Sequence, residues 1–298
     1  MTNAIPLLRP IRRWLAALAG AFVFALPAAA EPALWAIRDR DSTIYLFGTV
    51  HVLRGETEWL SPRIEAAAKA SDELWLETPS ASMDDLRASL APLVKKHGIG
   101  AMPLTSRLTP EEREALDSET RRAGLAPHSL EPFQPWFAAL SISTSALTQA
   151  GYLRDAGADA VVGRMFADRG IAPKGFETAD QQIELIARLR EQEQLPYLRA
   201  AFGARDRIGP GEDSMIALWL AGDVDGIAGS SVASIKASDP ALYDRMLVRR
   251  NIAWTRQIEK LLAGKGTAFI AVGAAHFAGP DSIQAQLAKR EIRAERLN

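Results

Sequence analysis

Two of the four histidines in this chain occupy the same short pattern, at opposite ends of the sequence. His51 and His276 each follow an apolar run that ends in Gly, with two small or apolar residues in between. A buried strand that ends in Gly and carries a His at its exit holds that His on a rigid support, beside an exposed loop. The other two histidines, His97 and His128, fall in segments flanked by Gly or Pro that are predicted to be ordinary loops.

Glu77 could complete a metal site with these two histidines. It ends the apolar segment Glu73–Glu77, which is the next predicted strand after His51. Two imidazoles and one carboxylate with an open position form a catalytic arrangement for a divalent metal, which lowers the pKa of bound water toward neutrality. Because the chain has no Cys, zinc, manganese, cobalt and iron are the favoured metals. Glu77 could serve as a ligand or as the base, and the alternative is a solvated strand end.

Glu177 and Arg250 are the weaker catalytic candidates. Glu177 follows another short apolar segment, and its alternative role is to stabilise the start of the next helix. Arg250 lies in a long predicted helix and could clamp a substrate carboxylate or an oxyanion, although such an Arg is usually surface charge. A single Gly-x-x-His is a weak pattern, because a His after a buried strand often only bonds to loop backbone. The pair of His51 and His276 is what predicts one shared site.

These side chains need strands that end side by side. The unit strand, Gly-x-x-His, helix, strand occurs at both ends of the chain, and two such βαβ-like halves would bring the histidines to the carboxyl ends of adjacent strands. We therefore predict an α/β fold with a mixed, largely parallel central sheet and a large helical insertion between the halves. Strands are predicted at 33–39 and 43–48 as a hairpin, and at 73–77, 171–176, 267–272 and 291–296.

Helices are predicted from apolar periodicity, capping residues and terminal Gly or Pro. Their predicted ranges are 62–70, 84–96, 109–123, 137–150, 157–168, 178–192, 195–205, 212–221, 223–233, 240–262 and 281–289. Gly and Pro are scattered along the chain, and no linker interrupts it. The sequence therefore predicts a single domain over residues 31–298.

Residues 1–30 are predicted to be a secretory signal peptide that is cut before Glu31. Basic residues precede the apolar run 14–26, which is too short to span a bilayer comfortably, and small residues follow it. The alternative is an uncleaved N-terminal anchor. A signal peptide predicts a periplasmic protein, with secretion as the second possibility.

The composition is that of an ordinary globular protein, with 48% apolar and 24% charged residues. Removing the signal peptide changes the formal net charge from −1 to −4, since that segment holds three Arg and no acidic residue. Nothing in this charge indicates nucleic acid or an anionic membrane as a partner. No later segment is long and apolar enough to predict a membrane span. The motifs of nucleophile elbows, of His-Glu-x-x-His metalloproteases and of phosphate loops do not occur.

Along essentially all of the predicted mature chain, the order of several motifs resembles the TraB/GumN family. The resemblance is carried by Leu34-Trp35-Ala36-Ile37, Tyr45-Leu46-Phe47-Gly48-Thr49-Val50-His51, Leu74-Trp75-Leu76-Glu77, Gln134-Pro135-Trp136, Gly157-Ala158-Asp159, Gly175-Phe176-Glu177-Thr178 with Gln181, Trp219 with Gly222-Asp223, Arg250-Asn251, and Val272 through Pro280.

That family is similar to the animal Tiki proteins, which are metal-dependent proteases, and more distantly to erythromycin-esterase-like and ChaN-like proteins. The resemblance implies that His51, His276 and Glu77 form the active site, with Glu177 and Arg250 in secondary roles. It also implies an α/β fold with inserted helices, a divalent metal such as manganese or cobalt, and hydrolysis of a peptide or protein substrate.

The leading hypothesis is an exported metal-dependent hydrolase, specifically a peptidase. The rival hypothesis is a binding protein in which the same two histidines hold haem or a metal as cargo without turnover, as the ChaN-like resemblance suggests. A third hypothesis is an envelope scaffold, linked by family names to polysaccharide biosynthesis, in which the histidines only join two loops.

Overall fold

The computed structural model describes residues 31–79, 88, 90–208 and 214–298. The predicted signal peptide lies outside the described residues, as do residues 84–87 and 89 of the predicted helix 84–96, whose described part is helical. The strands are β1 (Leu34–Arg38), β2 (Ser42–Thr49), β3 (Leu53–Arg54), β4 (Glu73–Leu76), β5 (Tyr152–Leu153), β6 (Lys174–Gly175), β7 (Gly266–Gly273) and β8 (Glu295–Arg296).

Helices cover most of the remaining described chain. The α-helices are α1 (Pro62–Lys69), α2 (Pro110–Arg122), α3 (Pro135–Gln149), α4 (Ala158–Ala167), α5 (Ala179–Ala187), α6 (Glu191–Ala201), α7 (Ala204–Arg207), α8 (Met215–Leu220), α9 (Val224–Ile227), α10 (Ala233–Ser238), α11 (Pro240–Tyr243), α12 (Arg249–Leu262) and α13 (Ile283–Ala288). Wider π-helical turns span Val94–Gly98, Ala228–Val232 and Asp244–Val248, and short 3-10 turns span Leu104–Arg107, Arg154–Ala156 and Ala274–Phe277. Among these helices, none is both long and apolar enough to span a membrane.

The main sheet has six strands in the order β6-β4-β7-β2-β1-β8. Strands β6, β4, β7 and β2 are parallel neighbours, whereas β1 pairs antiparallel with both β2 and β8. The predicted α/β fold with a mixed, largely parallel sheet is therefore confirmed, with the helical insertion between β4 and β7. Strand β7 lies between β2 and β4, and its Gly273 is level with Thr49 of β2.

The central strands are apolar on both faces because helices cover both faces, as is usual for parallel sheets. One face packs Phe47 and Phe269 against residues of α4 and α8, and the other packs Leu46 and Ile270 against Trp254 of α12. A separate apolar cluster joins α2, α3 and α6 within the insertion. The strand ends are therefore held by a core on each side of the sheet.

Two predicted strands are shorter than expected. The segment 171–176 contributes only Lys174–Gly175, because Pro173 has no backbone N–H for the ladder. The last strand is Glu295–Arg296 instead of 291–296, because the backbone N–H of Ile292 still bonds to Leu287 at the end of α13.

The helix predicted over 178–192 is also wrong, since two helices meet there. Helix α5 ends at Ala187, and α6 begins at Glu191, where the backbone N–H of Arg190 bonds to the carboxylate of Glu193. The helix predicted over 195–205 is likewise wrong, since Pro196 lies inside α6 and α7 begins at Ala204. The predicted long helix 240–262 is confirmed as a continuous run, with the π-turn Asp244–Val248 joining α11 to α12.

Candidate metal centre

Four of the five predicted site residues follow neighbouring parallel strands. In the sheet order β6, β4, β7, β2, the strands lead to Glu177, Glu77, His276 and His51. Arg250 reaches the same edge of the sheet from α12 and bonds to both glutamates. The structure therefore brings the five predicted residues together at the carboxyl edge of the sheet.

Gly273 marks the point on which three of these side chains converge. A Cβ at this glycine would stand 3.0 Å from Oε1 of Glu77, 3.7 Å from Cδ2 of His276 and 3.9 Å from Nε2 of His51. A larger residue would fill the space between the two imidazoles and the carboxylate. The absent side chain thus leaves room for a small ligand at the centre of the group.

Glu77 is buried and held by three donors. Its Oε1 accepts the backbone N–H of Gly273 at 2.8 Å, and its Oε2 accepts from Gln182 at 2.8 Å and from Arg250 at 2.7 Å. Burial alone would raise the pKa of Glu77, but Arg250 and the two nearby histidines outweigh it and hold this pKa well below its ordinary value. Such a carboxylate is a weak base at neutral pH, which favours a ligand role over a base role.

His276 is a buried, neutral imidazole. Its Nδ1–H donates to Oδ1 of Asn251 at 2.6 Å, because the amide nitrogen of Asn251 already donates to the carbonyl of Asp281 at 2.8 Å. Its Nε2 therefore accepts, and Nη1 of Arg250 donates to it at 3.1 Å. Burial, reinforced by the charge of Arg250, lowers the pKa of His276 to about 3. Trp254 covers the ring, with 4.4 Å between centroids.

His51 has the same position on its strand but a different environment. Its Nδ1 lies 3.2 Å from Oδ2 of Asp159, which also accepts from Arg154 at 2.6 Å. Burial opposes the charged imidazolium, but the Asp159 carboxylate outweighs that effect and raises the pKa of His51. The side chain is 52% exposed, so His51 forms the open side of the group.

Arg250 joins the two glutamates to His276. Its Nε donates to Glu177 at 2.9 Å, while its remaining bonds go to Glu77, His276 and the carbonyl of Met246. The guanidinium is buried and most of its donors are used within the protein. The geometry therefore favours an organising role for Arg250 over direct contact with an oxyanion, and Glu177 is its second anchor.

Three residues of this site were not predicted from the sequence: Asp159, Asn251 and Gln182. Asp159 had been interpreted only as the start of a helix, and Asn251 only as a neighbour of Arg250. Both stand in motifs that carried the family resemblance, and this was the only signal that could have singled them out. Their roles depend on contacts with residues far away in the sequence.

The start of α4 and the turn before it also hold the backbone at His51. The N–H of Ala158 donates to the carbonyl of Val50 at 2.9 Å, and Arg154 donates to the carbonyl of His51 at 3.1 Å. Gly157 lies so close to His51 that a Cβ there would collide with the His51 carbonyl. Backbone and side chain of His51 are therefore positioned by the same segment.

The donor types suit a divalent cation, but the ligand atoms of His51, His276 and Glu77 do not all lie within 4.8 Å of one another, so they are spaced more widely than the ligands of one bound ion. Both imidazoles have Nδ1 bonded to a side-chain oxygen, which leaves each Nε2 for a metal, and outer partners of this kind are typical of metal-binding histidines. Oε1 of Glu77 lies 3.7 Å from Nε2 of His276. A cation that bound His276 would replace its hydrogen bond from Arg250.

A second group of possible metal ligands lies on and beside α5, the helix whose Gln182 donates to Glu77. His97, Asp180 and Glu184 offer ligand atoms that all lie within 4.8 Å of one another. Among the described residues, no other set of three His, Asp or Glu side chains meets this spacing. His97 belongs to the π-turn Val94–Gly98, so the prediction that it lies in an ordinary loop was wrong. The described structure therefore contains a possible His/Asp/Glu metal site that the sequence did not indicate.

Comparison with known proteins identifies relatives of the chain but no activity. A sequence profile of the TraB/PrgY/gumN family matches residues 33–296. A protein of Treponema pallidum (strain Nichols), described only as uncharacterized, is 23% identical over 281 residues, which cover 88% of this chain and 82% of that protein. No solved structure matches the chain significantly. The family match spans the whole sheet and the strand-end residues.

Proposed function

Because this chain belongs to the TraB/PrgY/gumN family, we propose that it is a metal-dependent hydrolase that cleaves peptide bonds in the periplasm. His51, His276 and Glu77 would hold the metal ion. The predicted signal peptide is the support for an exported site of action. Zinc, manganese and cobalt all suit two imidazoles and a carboxylate in a site without thiolates.

One observation carries the proposal: Oε1 of Glu77 and Nε2 of His51 both border the space beside Gly273, Nε2 of His276 lies 3.7 Å from that oxygen, and both imidazoles have Nδ1 bonded to a side-chain oxygen. A His that only joins two loops would need no open space beside it, yet Gly273 leaves room where three polar groups converge. This arrangement supports ligand binding over a purely structural His pair.

A bound divalent ion would polarise a substrate carbonyl and supply a water of lowered pKa. The chain's own residues orient the donors. Asn251 keeps Nε2 of His276 unprotonated, and Asp159 sets the ring of His51. Gly273 and Gln182 fix the two oxygens of Glu77. The exposed side of His51 is the side from which a substrate can approach.

The haem-binding alternative gains little support from His276. An axial ligand needs a free Nε2 and an open slot for a flat macrocycle. Nε2 of His276 is bonded by Arg250, one face of its ring is covered by Trp254, and the residue is buried. A metal ion needs far less space than haem, so the geometry favours the ion.

The test is the metal content of the purified protein beside that of His51→Ala/His276→Ala, followed by hydrolysis of a peptide library. We expect the double variant to bind one ion fewer per chain and to lose hydrolysis. His128→Ala is the matched control, since His128 is exposed and distant in sequence from the site. A folded double variant that cleaves peptides like the parent would refute the proposal. Metal binding without cleavage by the parent would favour a cargo-binding protein.

A further inference from the structure

His97, Asp180 and Glu184 bring an imidazole and two carboxylates together between two helical segments. Nε2 of His97 lies 3.4 Å from Oδ1 of Asp180 and 3.7 Å from Oε1 of Glu184. Asp180 and Glu184 are four residues apart on α5, so both carboxylates project from one face of that helix. Two like charges in that position repel unless a cation lies near both.

Lys96 currently supplies that cation. Its Nζ lies 3.1 Å from both oxygens of Asp180 and 3.9 Å from Glu184. The Lys96 side chain is 56% exposed, and Arg188, which bonds to Glu184, is exposed as well. Exposed lysine and arginine pairs of this kind contribute little to stability, so these cations can be released to water at little cost.

The His97 side chain is the fixed part of the group. It is mostly buried, and the carbonyl of His97 accepts a 3.2 Å hydrogen bond from the indole of Trp136 in α3. An imidazole with two carboxylate oxygens is a donor set for zinc, manganese or cobalt. The site thus offers three ligand atoms on rigid helices, beside a cation that can leave.

We propose that His97, Asp180 and Glu184 form a second divalent-cation site, in which the metal ion displaces the ammonium group of Lys96. This site shares no residue with the strand-end group of His51, His276 and Glu77, and it does not depend on the proposed hydrolase activity. It would join the π-turn Val94–Gly98 to α5. The same helix carries Gln182, which donates to Glu77, so an ion here holds in place a helix that supports the first site.

The test is titration of the protein with zinc chloride in the His51→Ala/His276→Ala background, which removes the first site. We expect one ion per chain in that background, with at least tenfold weaker binding after His97→Ala. Lys96→Met should tighten binding about tenfold, because it removes the competing cation. Lys95→Met changes a neighbouring exposed lysine and should leave the affinity unchanged. His128→Ala controls for zinc bound by an exposed imidazole.

Two results would overturn this second site: unchanged affinity after His97→Ala, or no tightening after Lys96→Met. If the double-variant background does not fold, the comparison is made in the parent, where His97→Ala should lower the zinc content by one ion per chain. Zinc should also slow amide hydrogen exchange in Ala179–Ala187 in the Lys96→Met protein and not in the His97→Ala protein. Failure of the strand-end site would leave these results unchanged, so the two proposals fail separately.

Discussion

His51 and His276 end adjacent parallel strands in the same sequence pattern, yet the protein holds them in opposite ways. The side chain of His276 is 4% exposed and is bonded to a neutral amide and a cation. The side chain of His51 is 52% exposed and is bonded to a carboxylate. Consequently the pKa of His276 is lowered to about 3, whereas the pKa of His51 is raised.

This contrast shows that one strand-end pattern can supply two different functions. Tertiary contacts determine the environment of each histidine. Helix α12 covers His276, whereas the loop before α4 supports His51. His276 is buried against Trp254, while His51 is open to solvent. A site that binds a cation and a substrate together needs both kinds of surface.

The largest effect is expected at the buried side. Arg250→Met should lower the free energy of unfolding by about 3–5 kcal/mol, because it leaves the carboxylates of Glu77 and Glu177 buried and unpaired. Arg154→Met acts on the half-open side and should cost about 1–2 kcal/mol, since Arg154 is partly exposed. Urea unfolding of both variants measures the difference. Equal losses would contradict the asymmetry of the two sides.

Arg249→Met is the matched control for Arg250→Met. Arg249 precedes Arg250 on the same helix, but its side chain is 77% exposed and, within the described part of the chain, its ion pair is with Asp244. We expect a change within about 0.5 kcal/mol. A large loss in this variant would mean that the effect of Arg250→Met comes from the helix and not from the glutamates.

An intermediate effect is expected from crowding the loop that supports His51. Gly157→Ala keeps an allowed backbone, since φ of Gly157 is −57°, but the new Cβ would collide with the carbonyl of His51. Such overpacking typically costs about 1–3 kcal/mol, and it should weaken metal binding through His51. Gly229→Ala is the control, since no described residue beyond the local helix backbone and the two chain neighbours lies within 4 Å of its new Cβ. Similar unfolding midpoints and metal affinities in the two variants would argue against this role of Gly157.

The smallest effect is expected at Tyr243, whose hydroxyl donates to Asp281 at 2.8 Å. Asp281 in turn accepts from Asn251, the partner of His276. Burial and the Asp281 carboxylate raise the pKa of Tyr243 to about 12. Because this pKa is higher in the folded protein, the stabilisation is complete below about pH 10 and is lost toward pH 12.

Tyr243→Phe should therefore lower the free energy of unfolding by about 1 kcal/mol at pH 8. The gap between parent and variant should narrow as the pH rises from 10 to 12, because ionisation then favours the unfolded parent. Urea unfolding at pH 8 and pH 11 checks this difference. A gap that widens over this range would show that the hydroxyl is not bonded as described.

The strand-end residues could be predicted from the sequence because a buried strand can be recognised from its local apolar pattern alone. Strands β2 and β7 are buried on both faces and therefore read as continuous apolar runs, and a His shortly after each must lie near the carboxyl edge. The lengths of the edge strands β6 and β8 were overestimated. Pro173 limits the length of β6 and the end of α13 limits that of β8, so neither length follows from local apolar character.

The outer partners could not be predicted in the same way. Asp159 meets His51 across 108 residues and Asn251 meets His276 across 25, and no local pattern encodes either contact. His97 was misread because a π-turn has no simple periodicity, and because its partners on α5 come more than eighty residues later. Contacts between distant helices determine these positions, and a single sequence does not reveal them.

Because β7 lies between β2 and β4, the strand-end residues can come together only after β7 has been synthesised. His51 and Glu77 are made well before the strand that lies between them, which ends at Gly273, 196 residues after Glu77. A chain shortened before Gly264 lacks both His276 and β7, so it can form neither the central sheet nor the strand-end site. Pairing across such a long separation is slow. We therefore expect an unfinished chain to be inert, with the proposed hydrolytic activity appearing only once β7 and His276 have been inserted into the sheet.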